Sequence, residues 1–399
     1  MKSDVARSDQ VRRLMTPSAR SDVPPFMVMD VMAAAARIEA AGGQVVHMEV
    51  GQPAVGAPSP AVAAAQAALA SGRPLGYTES LGTASLRARI ARHYAEAYHQ
   101  PIAADRVIVT TGSSAGFILA FLSMFEPGDR VAIASPGYPP YRHILRALDC
   151  EPVLIETDAA TRFAITGESL RAVHARTPLA GLLVASPANP TGTMMAPQAL
   201  ADLIETASDL GIRFISDEIY HGLDYAMPAQ TALQVSDDVV VINSFSKYFC
   251  MTGWRIGWMV VPETMVRPID RLQGNLAISV PTLSQIAAEA AFDGRTELDT
   301  IKHGYEDNRK ILIEGLPKTG LDRFLPVDGA FYLYADISAF SRDSVAFTRR
   351  LLEEARVAAT PGVDFDPVRG NEFVRFSYAG SATEMREAVE RIGAWLRRG

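Results

Sequence analysis

The stretch VVVINSFSK (residues 239–247) combines an apolar, β-branched run with a lysine at its end. Such a run predicts a strand that is buried on both faces. Similar short runs occur earlier in the chain, separated by helical patterns: RVIVT (106–110), RVAIAS (130–135), PVLIE (152–156), LAGLLVAS (179–186) and IRFISDEI (212–219). Apolar strands that alternate with helices predict an α/β fold with a mostly parallel central sheet flanked by helices.

The chain changes character after about residue 285, where long charged helical patterns flank GAFYLYADIS (329–338) and FVRFSYA (373–379). This part predicts a smaller α+β domain. Near the N-terminus, a polar arm precedes a helical pattern that ends at Gly42. We predict three segments: residues 1–48 as an N-terminal arm and helix that joins the small domain, residues 49–287 as the large domain, and residues 288–399 as the small C-terminal domain.

The composition is that of a globular protein and argues against several classes. Of 399 residues, 48% are hydrophobic and 21% charged, and the net charge of -7 argues against a nucleic-acid partner. Two cysteines cannot form a disulfide scaffold. The N-terminus lacks an apolar signal region, and no stretch of about 18 apolar residues occurs, which predicts a cytoplasmic protein without a membrane span. The seven histidines lack H-x-x-x-H and H-E-x-x-H spacing, so no metal site is predicted.

Residues that can carry chemistry follow five of the predicted strands. In open parallel sheets, ligands bind at the carboxyl ends of the strands, so these residues are expected to converge. In chain order they are Gly112, Ser113 and Ser114 in TGSSAG, Tyr138 in SPGYPPY, Asn189 in SPANPTG, Asp217 and Tyr220 in SDEIYHGL, and Ser244, Ser246 and Lys247 in SFSK.

Lys247 occupies a position where a surface side chain is not expected. The chain has five lysines, and Lys247 is the one that ends an apolar strand; the others are Lys2, Lys302, Lys310 and Lys318. Burial would lower the pKa of its ammonium group and make the amine nucleophilic toward a carbonyl. The alternative is a lysine that merely extends to solvent from a strand end.

The other strand-end residues each allow a structural and a functional interpretation. The TGSSAG loop is either a plain serine cap or an anion site at a helix N-terminus, and the nearby hydroxyls and Arg255 suit a phosphate. Asp217 either caps a helix or pairs with a buried cation such as a protonated pyridine ring. Asn189 is either a turn residue or a partner of a ring hydroxyl, and Tyr138 is either a core residue or a stacking surface. Because the structural interpretation needs five coincidences at successive strand ends, we favour the functional one.

From about residue 25 to the end, the chain resembles the class I/II aminotransferases, which are fold type I pyridoxal-phosphate enzymes similar to the bacterial aspartate aminotransferase group. The resemblance rests on motifs in this order: GQP (51–53), GYTESLGTASLR (76–87), TGSSAG (111–116), SPGYPPY (135–141), SPANPTG (186–192), SDEIYHGL (216–223), SFSKYFCMTGWRIGW (244–258), TPG (360–362) and VRFSYA (374–379). It implies a large domain that binds pyridoxal 5'-phosphate.

The resemblance implies a role for each matched residue. Lys247 would form a Schiff base with the cofactor and move a proton during the reaction. Asp217 would pair with the pyridine nitrogen, Asn189 and Tyr220 with the ring hydroxyl, and Tyr138 would stack on the ring. The residues that would bind the phosphate are Gly112, Ser113, Ser114, Ser244, Ser246 and Arg255.

Two further implications concern the substrate and the partner subunit. Arg375 would bind the α-carboxylate of the amino acid, with Asn189 and the backbone of Gly51 beside it. Tyr77 would reach the cofactor phosphate of a neighbouring subunit, which implies a homodimer with its sites at the interface. The implied reaction moves an amino group from an L-amino acid to a 2-oxo acid such as 2-oxoglutarate, with ping-pong kinetics.

The chain departs from the family where some members bind a distal carboxylate. Some dicarboxylate-specific relatives carry a lysine at the position of Ser114, and LQGNLAISVPTLSQ (272–285) contains no lysine or arginine. We therefore expect neutral or aromatic donors to be preferred over dicarboxylic ones, since an unpaired carboxylate in a closed site is costly. A β-eliminating lyase, an aminocyclopropane-carboxylate-synthase-like enzyme and a non-catalytic cofactor-binding regulator are alternatives.

Overall fold

The computed structural model describes residues 15–398, so predictions for the first part of the N-terminal arm lie outside the described residues. The α-helices are α1 (Met27–Ala40), α2 (Ser59–Ala70), α3 (Ala84–Tyr98), α4 (Gly112–Met124), α5 (Pro139–Ala147), α6 (Gly167–Arg176), α7 (Pro197–Asp209), α8 (Glu263–Leu276), α9 (Thr282–Ala291), α10 (Arg295–Gly315), α11 (Ser344–Ala355) and α12 (Ala382–Leu396). The strands are β1 (Val46–His47), β2 (Val107–Thr110), β3 (Arg130–Ser135), β4 (Glu151–Glu156), β5 (Gly181–Ala185), β6 (Arg213–Asp217), β7 (Val240–Ser244), β8 (Gly257–Val260), β9 (Tyr332–Asp336), β10 (Val357–Ala358), β11 (Thr360–Pro361) and β12 (Phe373–Ser377).

The central sheet has seven strands in the order β2-β8-β7-β6-β5-β3-β4. Strand β8 runs antiparallel to both of its neighbours, β2 and β7, and the remaining pairs are parallel. The prediction of an α/β fold with a mostly parallel sheet is therefore confirmed. The sequence analysis did not identify β8, whose residues stood within the TGWRIGW motif.

Both faces of this sheet are covered, as the continuous apolar strands predict. Val107 and Val109 of β2 pack into one apolar cluster, while Ile108 between them packs into the cluster on the opposite face. Strand β7 alternates in the same way, with Val241 on the first face and Ile242 on the second. A strand buried on both sides leaves its carboxyl end as the place where polar side chains meet solvent or a ligand.

A third apolar cluster forms around a three-stranded antiparallel sheet in the order β11-β12-β9. Val46 and Met48 from the N-terminal part of the chain pack into this cluster with Phe331, and β1 pairs in parallel with β10. The predicted boundary at residue 287 falls within α9, and the three-segment division stays a prediction. No helix within residues 15–398 is long and apolar enough to cross a membrane.

Candidate active site

A cavity of about 220 Å³ lies at the carboxyl ends of the central strands, beside β12. Most of the residues predicted for the site line it: Gly51, Ser113, Ser114, Tyr138, Asn189, Asp217, Tyr220, Ser246, Lys247, Arg255 and Arg375. Three predicted residues, Gly112, Ser244 and Tyr77, are not part of this lining. The fold thus brings residues from seven separate motifs to one place.

Lys247 follows β7 by three residues and is held inside the cavity. Its Nζ donates a hydrogen bond of 2.5 Å to the carbonyl oxygen of Gly51, and it lies 5.8 Å from the ring centre of Tyr220. Burial lowers the pKa of Lys247 to about 8, and the positive charge of Arg375 acts in the same direction. The nearby Asp217 carboxylate opposes this shift. A substantial part of the lysine is therefore an uncharged amine near pH 8, the form that acts as nucleophile or base.

Asp217 ends β6 and is only 3% exposed. The hydroxyl of Tyr141 donates a hydrogen bond to its Oδ2, and the backbone N–H of Ile219 donates to its Oδ1 at 3.0 Å. Burial raises the pKa of Asp217 to about 6, while the Tyr141 hydrogen bond and the charge of Lys247 counter that rise. The result is a deeply placed carboxylate that is ionised at neutral pH and faces the cavity.

Tyr141 is a site residue that the sequence analysis missed. It lies three residues after Tyr138, where α5 begins, so both rings lie on one side of the first helical turn, with their centres 5.2 Å apart. The repeated tyrosine in SPGYPPY was a signal that could have identified it. Burial raises the pKa of both hydroxyls, so both remain protonated donors.

The start of α4 and the turn before β8 form a cradle for an anion. Gly112 has φ +73°, and a Cβ atom there would lie 2.6 Å from Nη2 of Arg255. Only glycine allows this approach, which brings the guanidinium against the first turn of the helix. Ser113 and Ser114 occupy that turn, where backbone N–H groups are free of partners within the helix.

The two serines beside Lys247 have different positions. Ser246 lines the cavity. Ser244 lies behind it, where its hydroxyl donates to the Oγ of Ser246 at 2.9 Å and accepts from the Ser246 backbone N–H. The structure therefore places Ser244 as a support for Ser246, one layer away from the cavity.

Arg375 lies on β12, with its guanidinium between the rings of Tyr332 and Phe365 at 4.4 and 4.7 Å. Its Nη1 donates to Oδ1 of Asn189 at 2.9 Å, and its Nη2 donates to the carbonyl oxygen of Glu49. Its Nε is buried without a partner within residues 15–398. A fixed, planar guanidinium at the cavity wall suits a carboxylate bound by paired hydrogen bonds.

Tyr332 is the second site residue that the sequence analysis did not name. Its hydroxyl lies 2.8 Å from that of Tyr220, and a Cβ atom at residue 51 would lie only 1.8 Å from the same hydroxyl. Glycine at position 51 is thus needed because the tyrosine occupies the space of a side chain. The Gly51 carbonyl accepts from Lys247, so this carbonyl positions the lysine in the structure.

Part of the remaining wall of the cavity is apolar, while Gln52 and Thr252 contribute polar side chains. Phe26, Val28 and Met29, from the segment that begins α1, line it together with Phe117 and Ile219. The ring of Phe26 makes an edge contact with Tyr138, with centres 6.0 Å apart. Nothing in the helical pattern of residues 26–42 indicated that its first residues contribute to the site.

Tyr77 lies apart from the cavity in the single chain. It is 82% exposed, and it lines a separate surface depression with Arg73 and Thr78. Its predicted contact is with a neighbouring subunit, so the geometry of one chain leaves that role a prediction.

The residues at the cavity suit pyridoxal 5'-phosphate. The Gly112–Arg255 cradle offers an anion site, the buried Asp217 carboxylate offers a counter-charge to a protonated ring nitrogen, and Lys247 offers an amine. Asn189 and Tyr220 offer polar partners for a ring hydroxyl. Each functional group of the cofactor therefore has a chemically matched residue in one cavity.

Comparisons with known proteins agree with this arrangement. Residues 43–392 match the family model for aminotransferase class I and II. The chain is 50% identical over 381 residues to a valine–pyruvate aminotransferase of Mycobacterium tuberculosis, covering 94% of this chain and 97% of that protein. It is 34% identical to a (5-formylfuran-3-yl)methyl phosphate transaminase of Methanocaldococcus jannaschii, covering 93% and 96%. A crystal structure of an aminotransferase from Mycobacterium tuberculosis superposes with a TM-score of 0.94 at 49% identity, covering 96% of this chain and 100% of that one.

The chain therefore belongs to the class I and II aminotransferases, whose members depend on pyridoxal 5'-phosphate. Its fold is the fold type I architecture of its structural neighbours. The predicted family, fold, enzyme class and cofactor are confirmed.

Proposed function

We propose that this class I and II aminotransferase takes a neutral L-amino acid, aliphatic or aromatic, as donor and a monocarboxylic 2-oxo acid as acceptor. The charges around the cavity carry the proposal. Among residues 15–398, the cations that line it are Lys247, Arg255 and Arg375. Each has a partner in the proposed chemistry: the cofactor and reacting nitrogen for Lys247, the phosphate for Arg255, and the α-carboxylate for Arg375.

A second carboxylate on the substrate would have no cation left to pair with. Leaving a carboxylate unpaired in a water-poor cavity costs several kcal/mol. The wall that remains for the substrate side chain includes Phe26, Val28 and Met29, which offer apolar contact. An aliphatic or aromatic side chain gains about 25 cal/mol per Å² buried there, whereas a carboxylate does not.

The same argument applies to the acceptor, because donor and acceptor occupy one cavity in turn. It disfavours 2-oxoglutarate, the acceptor that the resemblance implied, because that acid has a distal carboxylate, and it favours a small 2-oxo acid with one carboxylate. The relative from Mycobacterium tuberculosis carries valine and pyruvate in its name, and both lack a distal charge. Valine as donor and pyruvate as acceptor are therefore the first pair to test.

The roles of the protein residues follow from their chemistry. The bound cofactor supplies an electron sink for the substrate Cα. Lys247 Nζ, with its lowered pKa, accepts and returns the proton of Cα as general base and acid. Asp217 keeps a negative charge at the far end of the cavity, and Tyr141 holds that carboxylate in place. Arg375 orients the α-carboxylate, and the Phe26 wall excludes water from the side-chain end.

Three further predictions remain part of the proposal. Tyr77 is exposed in the single chain, which a contact with a partner subunit requires. We propose from this contact a homodimer with its sites at the interface. A partner subunit that brings an arginine into the cavity would change the donor preference. The cytoplasmic location is proposed from the sequence alone.

A donor and acceptor panel tests the proposal. Half-reactions are followed on the absorbance of the bound cofactor, with valine, leucine, phenylalanine, alanine and aspartate as donors, and pyruvate and 2-oxoglutarate as acceptors. We expect kcat/KM for valine to exceed that for aspartate by at least about tenfold, as one unpaired charge requires. A higher value for aspartate would contradict the proposal. Release of pyruvate and ammonia from a cysteine conjugate, without amino transfer, would instead indicate the lyase alternative.

A further inference from the structure

A second cavity, of about 360 Å³, lies next to the loop that carries Lys247. Tyr248 and Phe249, which directly follow Lys247 in the chain, line this cavity, and so does His221, which directly follows Tyr220. We call it the rear cavity. Within residues 15–398 it shares no lining residue with the active-site cavity, so none of its residues has a role in the function proposed above.

The floor of the rear cavity is a pair of residues from neighbouring strands. Asn243 of β7 lies opposite Trp258 of β8, so both side chains project from the same face of the sheet, and both line the cavity. Asn243 is 4% exposed, and its Oδ1 accepts a hydrogen bond of 2.7 Å from the backbone N–H of Ser244. Its Nδ2 has no hydrogen-bond partner within residues 15–398. Since buried polar groups are normally paired, this amide is a donor that lacks its acceptor.

Helix α3 covers this floor with a second polar group of the same kind. His93 lines the cavity, and its ring centre lies 5.2 Å from that of Phe292 and 6.5 Å from that of Trp258. Neither of its ring nitrogens has a hydrogen-bond partner among residues 15–398. Burial lowers the pKa of His93 to about 4, and the charges of Arg89 and Arg295 act in the same direction. The imidazole is therefore neutral at pH 7 and carries one N–H donor.

Arg89 stands one helical turn before His93, on the same side of α3, and also lines the cavity. Its guanidinium lies 4.2 Å from the ring centre of Phe292, and its Nη1 donates to Oε2 of Glu96 at 3.3 Å. Glu96 is shared with Arg92, at 3.5 Å. A guanidinium has five donors, so Arg89 keeps donors for a further acceptor.

The other two cations of the rear cavity are paired with acids that line it too. Lys302 Nζ lies 3.5 Å from Oδ1 of Asp224, and Arg295 Nε lies 3.6 Å from Oδ2 of Asp299. The side chain of Arg295 is 73% exposed, so solvent screens its charge, whereas that of Arg89 is 12% exposed. Within the described part of the chain, Arg89 is the cation of this cavity that best suits an anion bound inside it.

The remaining wall is aromatic. The rings of Phe249 and Phe292 have their centres 4.9 Å apart, and Trp258 and Tyr248 line the same cavity. Flat rings pack favourably against such walls, and carboxylate oxygens accept strong hydrogen bonds from amide, imidazole and guanidinium donors. The volume of the cavity is within the range of small-molecule sites.

We propose that the rear cavity is a second binding site, which takes a small aromatic carboxylate. The carboxylate accepts hydrogen bonds from Asn243, His93 and Arg89, and the ring packs against Phe249 and Phe292. This site is additional to the active site and does not depend on which donor or acceptor the enzyme uses.

Tyr248 connects the rear cavity to Lys247. Its hydroxyl donates to Oδ1 of Asp299 at 2.6 Å, and a Cβ atom at Gly222 would lie 2.7 Å from its ring. The ring is therefore closely packed, and it belongs to the residue next to Lys247. A ligand against this wall is expected to change the reaction rate.

Calorimetric titration of the holoenzyme with phenylacetate tests the site. We expect His93→Leu and Arg89→Met each to raise Kd by about tenfold, because each removes a hydrogen bond to a charged group. Either variant tests the site alone if the other does not fold. His303→Leu is the matched control, since His303 is exposed on α10 and does not line the cavity, and its Kd should equal that of the wild type.

Two further arms define where and how the ligand binds. Arg375→Met removes the arginine of the active-site cavity that also suits a carboxylate, and phenylacetate should still bind to this variant. Acetate, which has the carboxylate without the ring, should bind at least about tenfold more weakly than phenylacetate. Rates at a saturating donor concentration should change at least about twofold with phenylacetate in the wild type, and not in His93→Leu.

Three results would overturn the inference. Phenylacetate that does not bind at millimolar concentration would show that the polar groups of the rear cavity serve packing alone. A Kd that neither His93→Leu nor Arg89→Met changes would place the ligand elsewhere. Binding that is lost in Arg375→Met and kept in the other two variants would place it in the active site. A ligand that binds in the rear cavity without any change of rate would reject its action on Lys247.

The outcome is separable from that of the proposed function. The proposed function is judged on the wild-type preference for valine over aspartate. The inference is judged on the binding of an acid that has no amino group to transfer. An enzyme that prefers aspartate, with phenylacetate binding that depends on His93, would reject the first and keep the second.

Discussion

The two halves of the cavity are built in different ways. The cofactor half is made of residues at or just beyond the carboxyl ends of strands of the central sheet, such as Asp217, which ends β6, and Lys247, three residues after β7. The substrate half includes the start of α1, with Phe26 and Met29, and Arg375 from near the other end of the chain. The comparison teaches that the reaction type is encoded in contiguous motifs, while substrate choice depends on long-range packing.

The largest expected effect comes from breaking the cofactor half at Lys247. Lys247→Ala removes the proposed nucleophile and general base, so activity should fall by at least about a thousandfold for every donor. Lys310→Ala is the matched control, since Lys310 lies on the exposed side of α10, paired with Glu306. Steady-state rates with valine and alanine check the prediction, and full turnover by Lys247→Ala would contradict it.

Asp217→Asn should separate stability from activity. The pKa of Asp217 is raised from 3.8 to about 6, so its contribution to folding is present below pH 4 and lost as pH rises through 6. The buried charge therefore destabilises the apoprotein at pH 8, and the asparagine variant should be more stable there by about 3 kcal/mol. Its activity should fall about a hundredfold, because the counter-charge is lost.

Urea unfolding of the apoprotein at pH 8 and pH 5 measures this difference. The advantage of the variant should shrink at pH 5, where the wild-type carboxyl in the folded protein is mostly protonated. If the Asp217→Asn apoprotein is less stable than the wild-type apoprotein at both pH values, the account of Asp217 is contradicted.

The smallest expected effect, at Tyr141, sharpens the contrast between the two halves. Tyr141→Phe removes a hydrogen bond to the ionised Asp217, so the pKa of that carboxyl should rise further. Activity should fall about fivefold, more at low pH than at pH 8, and to the same degree for valine and alanine.

Tyr334→Phe is the control for this prediction, because the buried Tyr334 hydroxyl has no hydrogen-bond partner within residues 15–398. Its pH profile of kcat should superimpose on that of the wild type. If the Tyr141→Phe profile also superimposes on the wild type, Tyr141 does not tune Asp217.

The cofactor half could be predicted from sequence because each residue sits next to a recognisable strand. Tyr141 stands in the same motif as Tyr138. Its place in the site follows only once the helix is known to begin at residue 139, because this start brings the two rings to the same side of the helix. Strand β8 was missed because its four residues overlap a motif with conspicuous glycine and tryptophan.

The substrate half could not be predicted in the same way. Phe26 and Val28 belong to a helical pattern in which every apolar position is expected to be buried. The pattern does not show whether these residues pack into the hydrophobic core or line the cavity. Phe26 and Tyr138 come into contact only after α1 has packed beside the cavity, and no spacing in the sequence records that contact. Tyr332 was part of a predicted strand. Its hydroxyl reaches the cavity only because residue 51 is a glycine, which leaves the space of a side chain free.

The placement of the cofactor on Lys247 is the central claim, and the low lysine content of the chain makes it directly testable. Borohydride reduction of the holoenzyme should fix the cofactor covalently to one lysine, which peptide mapping by mass spectrometry identifies among the five in the sequence. The account predicts that the modified peptide contains Lys247 and no other modified lysine. Cofactor fixed to Lys2, Lys302, Lys310 or Lys318 instead would contradict it.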